Sequence, residues 1–306
     1  MITTSLVSIT IETYNSSETI LETLDSIYNQ TYQNIELIIG DDCSKDDTIA
    51  VCREWIQKHA KRFVRTEIIT VEHNTGVSAN CNRVWLAAKG EWVKDFAGDD
   101  IMLPNCVADM VEYAQSHPEY ACIFSKLEAF GRTKEENEEY LNRVFHFDFF
   151  EKSLQEQLEY MQMGGNCIPA PTTFFNRKVI LEDLGIRADE RIPMVEDAPL
   201  WINMLKKGVR FGFVDKVEVK YRLSDESIST THEPSLKARQ SAALQYIYYR
   251  FPYRYRHFKT PYKKLGEIRK YIQAASTAWD GGWKVLKAID DGVAKVLNAM
   301  GCNVKV

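Results

Sequence analysis

The sequence predicts an α/β protein with a mostly parallel central sheet between layers of helices, followed by a helical C-terminal extension. Strand-like and helix-like segments alternate over the first 125 residues, which is typical of βαβ units around a parallel sheet. Beyond about residue 233 the apolar spacing is helical. We therefore expect two parts, a sheet-containing domain at residues 1–232 and the extension at residues 233–306.

The first half of the chain is expected to alternate five strands with four helices. The strands are rich in β-branched residues and are predicted at residues 6–11, 35–39, 66–71, 91–96 and 121–125. The first helix is expected to have Ser16 or Ser17 as its N-cap. The other three are predicted at residues 46–60, 77–88 and 104–116.

The second half of the chain is more irregular. Residues 131–140 are highly charged and are expected to form a solvated loop or helix. Glycine and proline interrupt residues 164–171, just before a short strand-like run. A helix at 198–207, ended by Gly208, and strands near 210–214 and 217–222 are expected to complete the domain.

Composition and charge exclude several classes of protein. The 306 residues are 45% hydrophobic with a net charge of −5, which argues against a disordered chain and against a nucleic-acid partner. The seven cysteines are scattered and are expected to be reduced thiols. No signal-peptide pattern and no run of about 18 apolar residues is present, so we expect a cytoplasmic protein.

Several common site motifs are absent from the sequence. It contains neither GxGxxG after the first strand nor GxxxxGK[ST], which argues against a dinucleotide-binding domain and a P-loop NTPase. The six histidines show no HExxH spacing, so no zinc site is expected.

Adjacent acidic residues are the strongest chemical signal. Ligands of parallel α/β sheets bind beyond the carboxyl ends of the strands, which selects the loops at 12–16, 40–44, 73–76 and 97–100. Two of these loops carry paired aspartates, and a third acidic pair begins a helix: Asp41-Asp42, Asp99-Asp100 and Glu196-Asp197. Each pair taken alone could equally be an ordinary turn or helix cap without a chemical role. Carboxylates at a strand end also suit a divalent cation that must hold phosphate oxygens.

The order and spacing of the motifs resemble those of the inverting family-2 glycosyltransferases of bacterial surface-polysaccharide synthesis, which have the GT-A fold. The resemblance covers about residues 5–230. It rests on Thr13-Tyr14-Asn15, Ile38-Ile39-Gly40-Asp41-Asp42, Asn74-Thr75-Gly76, Gly98-Asp99-Asp100, Glu196-Asp197, and Tyr221-Arg222 followed by Ser227-Ile228-Ser229.

The resemblance implies a role for each matching position. Thr13, Tyr14, Asp41, Asp42, Asn74, Arg83 and Asp99 are expected around the donor nucleotide, with Asp41 at the base edge and Asp99 at the ribose or donor sugar. Asp100, with Asp99, is expected to hold Mn²⁺ or Mg²⁺. Asp197 is expected to be the catalytic base, paired with Glu196. Pro169, Pro171, Thr172 and Arg222 are expected beside the donor sugar and the acceptor.

Three positions depart from the family pattern. Glu12 stands where many members have proline, and Asn80-Cys81-Asn82 stands where many have Ala-Arg-Asn. Arg83 or another residue would then have to meet the phosphate. Ser224 replaces a histidine that often assists the metal, and His232 is the nearby candidate to take its place.

The expected function is transfer of a sugar from a nucleotide-diphosphate donor, with a UDP-sugar as first choice, to a hydroxyl of a glycan or lipid-linked acceptor. A single carboxylate base implies one displacement with inversion. One alternative is a sugar nucleotidyltransferase, which would need a glycine-rich loop where residues 13–17 have none. Another is a non-catalytic sugar-nucleotide-binding or scaffold protein.

The C-terminal extension carries a different pattern. Eight basic residues and one acid, Glu267, lie within 246–270, and aromatic residues are interleaved with them. This composition suits a packed amphipathic helix, peripheral contact with the inner membrane face or a lipid-linked acceptor, or single-stranded nucleic acid. An apolar stripe at helical spacing is expected to be a packing or homodimer face, and it comprises Val285, Ile289, Val293, Val296 and Met300.

Overall fold

The computed structural model describes residues 5–224, 235–278 and 283–299, with the side chains of residues 262, 283–289 and 299 left aside. The expected domain boundary near 232, His232 and the segment Ser227-Ile228-Ser229 therefore lie outside the described residues. So do Cys302, Met300 and the side chains of Val285 and Ile289.

One mixed sheet of eight strands forms the centre of the molecule. Its strands are β1 (Val7–Thr13), β2 (Ile35–Asp41), β3 (Thr66–Thr70), β4 (Trp92–Ala97), β5 (Ile101–Met102), β6 (Cys122–Phe130), β7 (Phe174–Asn176) and β8 (Phe211–Arg222). Their order in the sheet is β3-β2-β1-β4-β7-β6-β8-β5. The short strands β5 and β7 run antiparallel to their neighbours and the other six share one direction. The prediction of a mostly parallel sheet is confirmed.

Helices cover both faces of the sheet. They are α1 (Ile20–Tyr28), α2 (Thr48–His59), α3 (Val77–Ala87), α4 (Cys106–Ser116), α5 (Lys134–Val144), α6 (Leu154–Met163), α7 (Asp197–Lys206), α8 (Leu236–Gln245), α9 (Phe251–His257), α10 (Pro261–Ala278) and α11 (Trp283–Ala299). One buried cluster joins α1, α2 and α4 to the sheet, and a second joins α3, α6 and α7 to its other face. Ile38 and its neighbour Ile39 belong to opposite clusters, as strand alternation requires.

The two faces of β1 differ in polarity, and this difference positions the site. Val7, Ile9 and Ile11 are fully buried in the cluster that contains α1. The alternate residues Ser8, Thr10 and Glu12 point to the face that carries α3. The Ser8 hydroxyl donates to Glu36 at 2.5 Å and the Thr10 hydroxyl donates to Asp95 at 3.0 Å. A layer of polar groups therefore leads along this face towards the carboxyl end of the strand.

The N-cap prediction for the first helix was wrong. Helix α1 begins at Ile20, and its N-cap Thr19 makes no side-chain capping bond. The Ser16 carbonyl accepts from the Thr19 and Ile20 amides, and the amides of Ser16 and Ser17 donate to Thr48 Oγ1 and Asp46 Oδ2. These tertiary bonds hold both serines in a turn ahead of the helix.

The two strands expected at 210–214 and 217–222 are one strand, β8. A register shift against β6 at Lys126 absorbs the irregularity that the sequence shows around Asp215-Lys216. The charged segment after residue 131 forms helix α5, which begins with a capping box between Thr133 and Glu136.

The C-terminal helices pack on the sheet-containing domain. Tyr249 belongs to the buried cluster that contains α3, α6 and α7, and its hydroxyl donates to Asp189 at 2.8 Å. The Ser241 hydroxyl accepts from the Met194 amide at 3.2 Å. The expected apolar stripe differs in part: among the side chains of α11 that the structure describes, Ala294 and Leu297 are buried, and Val296 is 48% exposed. Contact with α10 decides which face is covered. None of the helices in the described ranges is long and apolar enough to cross a membrane.

Candidate active site

A cleft of about 1190 Å³ opens at the carboxyl ends of β1, β2 and β4 and reaches the N-terminus of α7. All four loops that the strand-end rule selected contribute to it, together with the residues around Glu196. The structure thus brings the three acidic pairs to one edge of the sheet, although their members differ in how they face the cleft.

The cleft is strongly acidic. Nine carboxyl side chains line it, against two cationic ones among the described residues, Arg222 and Lys237. The carboxyl groups belong to Glu12, Glu18, Asp42, Asp46, Asp95, Asp99, Asp100, Glu196 and Asp197. An anionic ligand therefore requires a cation to enter with it or a basic side chain that is not already neutralised.

Asp99 and Asp100 lie in the turn between β4 and β5, which β8 holds in place. The Arg222 amide donates to Asp100 Oδ1 at 2.9 Å and the Arg222 Nε donates to the Asp99 carbonyl at 2.8 Å. Asp100 is 1% exposed, whereas Asp99 is only partly buried. The guanidinium of Arg222 also pairs with Glu22 of α1, so its charge is already neutralised within the fold.

The aspartate pair fits a divalent cation. Burial, and then the neighbouring charge of Asp99, raise the pKa of Asp100 well above its usual range, and burial also raises the pKa of Asp99. Asp100 Oδ2 is buried and has no hydrogen-bond partner among the described residues. An unpartnered carboxylate oxygen beside a second carboxylate supplies the hard donor set that Mn²⁺ or Mg²⁺ takes.

Asp41 and Asp42 are held by the backbone and hydroxyl groups of their own loops. Asp41, which does not line the cleft, accepts from the Ser44 amide at 2.9 Å and from the Thr13 hydroxyl at 3.2 Å. Asp42 accepts from the Thr75 amide at 2.9 Å and the Gly76 amide at 2.6 Å. In this conformation both carboxylates shape the loops around the cleft.

Position 76 requires glycine because the backbone at Pro193 packs directly against it. Its φ is +98°, and a Cβ at this position would lie 2.6 Å from the Pro193 carbonyl oxygen. The loop after β3 therefore sits directly against the segment that leads to Glu196.

Arg83 does not reach the cleft. Its guanidinium donates to Asn80 Oδ1 at 2.6 Å and to the Thr75 hydroxyl at 2.8 Å, and lies 3.7 Å from Asp42. It reinforces the Asp42 loop. Its expected contact with the nucleotide stays a prediction that this geometry does not favour.

Lys237 is a cleft residue that the sequence did not reveal. It lies on α8 of the C-terminal extension, and its Nζ donates to Asn74 Oδ1 at 2.8 Å. Asn74 in turn donates to the Asp42 carbonyl at 3.3 Å. Lys237 forms no ion pair within the described residues, so its charge is available to a ligand. No motif marks it, because only the packing of α8 carries it to the cleft.

Thr13 and Tyr14 follow β1 at the rim of the cleft. Thr13 is buried and its hydroxyl donates to Asp41, whereas Tyr14 is 47% exposed. An exposed aromatic ring at the edge of a polar cleft offers a stacking surface for a flat ligand group.

Glu196 and Asp197 begin α7, where the positive end of the helix dipole favours carboxylates. Asp197 Oδ2 accepts from Asn166 Nδ2 at 2.7 Å, and its Oδ1 accepts from the Ala198 amide at 2.6 Å. Burial, and then the charge of Asp197, raise the pKa of Glu196 to about 8. At neutral pH Glu196 is therefore mostly protonated beside Asp197.

Two partly buried carboxylates and a buried thiol form a cluster in the cleft that sequence reasoning had not assembled. Glu12, Cys81 and Asp95 each place a polar atom within 4.8 Å of the others. Burial raises the pKa of all three groups, and for Glu12 the neighbouring Asp95 adds to the effect. Asp95 Oδ1 accepts from Trp85 Nε1 at 2.5 Å, while Glu12 Oε1 has no described partner. Two positions that depart from the family pattern, Glu12 and Cys81, thus meet in space.

The segment from Pro169 to Thr172 forms one wall. Its 3₁₀ turn, Ala170–Thr172, is fixed by the buried Lys94, whose Nζ donates to the Pro171 carbonyl at 2.6 Å. Ala170 and Pro171 line the cleft. Pro169 and Thr172 lie behind them, where the Thr172 hydroxyl donates to the Pro169 carbonyl at 2.8 Å.

The comparisons with known proteins agree with this arrangement. A sequence model described as Glycosyl transferase family 2 matches residues 8–185. The chain is 28% identical over 246 residues to the UDP-Glc:alpha-D-GlcNAc-diphosphoundecaprenol beta-1,3-glucosyltransferase WfaP of Escherichia coli, covering 79% of this chain and 86% of WfaP.

Two solved structures show the same fold. TarS 1–349 of S. aureus in complex with UDP-GlcNAc matches with a TM-score of 0.63 at 16% identity, covering 97% of this chain and 91% of that one. The mannosyltransferase PcManGT of Pyrobaculum calidifontis in complex with GDP-Man and Mn²⁺ matches with a TM-score of 0.54 at 15% identity, covering 97% and 87%. The GT-A fold expected from the sequence is confirmed.

Proposed function

The chain belongs to glycosyl transferase family 2 and is a glycosyltransferase, and from that premise we propose that it transfers a sugar, with inversion, from a UDP-sugar to a hydroxyl of a lipid-linked or glycan acceptor in surface-polysaccharide synthesis. The observation that carries the proposal is that the Asp99-Asp100 pair and Asp197 line the same cleft. The aspartate pair would supply a cation site for the leaving diphosphate. Asp197 would supply a base for the incoming hydroxyl.

The choice of donor and acceptor rests on the relatives. WfaP is named for a UDP-Glc donor and a diphosphoundecaprenol-linked acceptor, and TarS is solved with UDP-GlcNAc. In this chain the exposed Tyr14 ring offers the stacking surface for the base, and Lys237 offers a positive charge for the diphosphate. A UDP-sugar and a lipid-linked acceptor are therefore the first substrates to test.

The residues of the cleft divide the chemistry between them. Asp99 and Asp100 would hold Mn²⁺ or Mg²⁺, which when bound supplies positive charge to the diphosphate as the bond to the anomeric carbon breaks. Asp197 accepts the proton of the acceptor hydroxyl as its oxygen forms the new bond to that carbon. The electron pair of the broken bond leaves with the nucleoside diphosphate. Asn166 orients Asp197 through the 2.7 Å hydrogen bond.

The two alternatives from the sequence receive less support. A sugar nucleotidyltransferase would need a glycine-rich phosphate loop, and the turn after β1 contains Tyr14, Asn15 and serines without glycine. A non-catalytic protein would have no reason to keep Asp100 Oδ2 unpartnered, because a buried acceptor without a partner costs about 1–3 kcal/mol.

Asp197→Asn is the test of the assigned chemistry. The variant should retain UDP affinity but lose transfer by about 10²-fold or more, since it removes the base and keeps the shape. The assay is a panel of UDP-, GDP- and dTDP-sugars with Mn²⁺ or Mg²⁺, with product configuration read by NMR. A retained anomeric configuration, or full activity of the variant, would contradict the proposal.

A further inference from the structure

Arg250 is a half-buried cation without a described partner. It ends the π-helical turn Tyr246–Arg250 that joins α8 to α9. Its Nε is buried without a hydrogen-bond partner, and its guanidinium forms no ion pair with the residues that the structure describes. Burial lowers its pKa, and the neighbouring charge of Asp197 opposes that change. The buried Nε has lost its water contacts without gaining a partner, and a bound anion would supply the missing acceptor.

The neighbouring Arg254 shows what a purely structural arginine looks like in this segment. Its Nε and Nη2 donate to Glu267 at 2.7 and 2.8 Å, and its Nη1 donates to the Met163 carbonyl. Arg254 is therefore neutralised, although it lies on the same side of Gly164 as Arg250. A Cβ at Gly164 would be 3.7 Å from Arg254 Nη1 and 3.8 Å from Arg250 Nη1.

The segment that Arg250 approaches leads to the proposed base. Gly164 is two residues before Asn166, which donates to Asp197 Oδ2. Asn166 Oδ1 is also buried without a described partner. An unpartnered acceptor on Asn166 and an unpartnered donor on Arg250 thus lie against the same short segment, residues 164–166, which leads to Asp197.

We propose that Arg250 binds a phosphate of a lipid diphosphate-linked acceptor, next to the sugar whose hydroxyl Asp197 deprotonates. This assignment rests on the proposed function and adds the acceptor chemistry to it. In such an acceptor the reacting sugar is attached directly to the diphosphate, so the anion lies one sugar ring from the hydroxyl. Arg250 lies against the segment whose Asn166 bonds the proposed base, and its planar guanidinium suits two phosphate oxygens.

The binding test uses methyl diphosphate, which carries the charge without the sugar or the lipid. It is titrated by calorimetry into protein saturated with UDP and Mn²⁺, so that the donor site is already filled. The wild type should bind it, Arg250→Gln should weaken binding about tenfold or more, and Arg250→Lys should be intermediate. Arg53→Gln, on the exposed surface of α2, is the matched control and should bind as the wild type does.

The kinetic test compares N-acetylglucosaminyl diphosphate with an undecyl chain against the undecyl glycoside of the same sugar. Arg250→Gln should raise KM for the diphosphate acceptor only, with the UDP affinity and the thermal midpoint unchanged. Absence of methyl diphosphate binding to the wild type, equal loss on both acceptors, or weaker UDP binding in Arg250→Gln would overturn the assignment. Failure of the proposed function would appear differently, as a wild type that neither binds UDP nor transfers from any donor.

Discussion

Asp99 and Asp100 are adjacent carboxylates whose charges repel each other, and burial limits the screening of that repulsion by water. The fold keeps them in place through Arg222, whose backbone amide donates to Asp100 Oδ1 and whose side-chain Nε donates to the Asp99 carbonyl. The raised pKa of both groups shows that the ionised pair is unfavourable without a cation. Cation binding and nucleotide binding should therefore be coupled at this residue pair.

Asp100→Ala tests that coupling. We expect the variant to lose the Mn²⁺-dependent part of UDP binding, because one ligand of the ion is gone, and to keep the weaker metal-independent part. Calorimetry with UDP, with and without Mn²⁺, measures both. Asp47→Ala, on the exposed surface before α2, is the matched control. Equal Mn²⁺ enhancement in wild type and Asp100→Ala would remove Asp100 from the cation site.

Glu196 gives a prediction for stability against pH. Its folded pKa of about 8 lies above its unfolded value, so the native state holds a proton that the unfolded chain releases. Its stabilising contribution is complete below the unfolded pKa and is lost as the pH rises through about 8. Glu196→Gln should equal the wild type near pH 5 and become more stable than it as the pH rises, by up to about 1.4 kcal/mol per pH unit.

Chemical unfolding of both proteins between pH 5 and 9 measures this difference. Glu138→Gln, on the exposed surface of α5, serves as the control and should follow the wild type at every pH. A constant difference between Glu196→Gln and the wild type would mean that Glu196 has no raised pKa in the folded protein.

At the scale of elements, helix α8 completes a cleft that the sheet begins. The strand ends supply carboxylates, and α8 supplies the described cation that is not already committed to a carboxylate, Lys237. The bond from Met194 to Ser241 ties the same helix to the segment before Glu196. The C-terminal extension therefore contributes a side chain to the cleft.

Lys237→Gln tests the contribution of α8. If the ammonium meets the donor diphosphate, the variant should bind UDP about tenfold more weakly and bind uridine unchanged, since uridine lacks the phosphates. Lys237→Arg should recover part of the UDP affinity. Equal weakening of UDP and uridine would show that Lys237 supports the cleft only through Asn74.

At the scale of the whole molecule, the basic residues of the segment 246–270 other than Arg250 divide into two groups. Arg254 and Lys270 pair with Glu267, and Arg269 pairs with Asp290, so these charges hold the helices together. The other group forms no ion pair with the described residues and comprises Arg256, Lys259, Lys263 and Lys264. Contact with an anionic membrane would have to depend on this second group.

Replacing Arg256, Lys259, Lys263 and Lys264 together by glutamine tests peripheral membrane contact. We expect less sedimentation with anionic vesicles at low salt, and wild-type binding that fades as salt shortens the screening length to about 8 Å. A control variant removes the same charge elsewhere, at Arg53, Lys61, Lys134 and Lys178. Wild-type protein that does not sediment at low salt would leave the segment with a packing role alone.

The sequence by itself determined the α/β class, the mostly parallel sheet and the loops that form the cleft. Strand and helix periodicities are local, and residues that follow parallel strands must meet at one edge of the sheet. Asp99 and Asp100 could be named for that reason, whereas Asp197 begins a helix and its expected role came from a resemblance whose motifs stand in order along the chain.

Only the tertiary structure decided which groups share the site beyond those motifs. Lys237 and Arg250 lie in helices far along the chain from most of the cleft, and helix packing alone brings them near Asn74 and Gly164. The capping prediction at Ser16 and Ser17 was wrong because the helix begins later, at Ile20, and tertiary bonds to Thr48 and Asp46 hold both serines in the turn before it. Contacts between residues distant in sequence leave no local periodicity. Which charged side chains are paired and which stay unpaired is therefore decided only when the chain is folded.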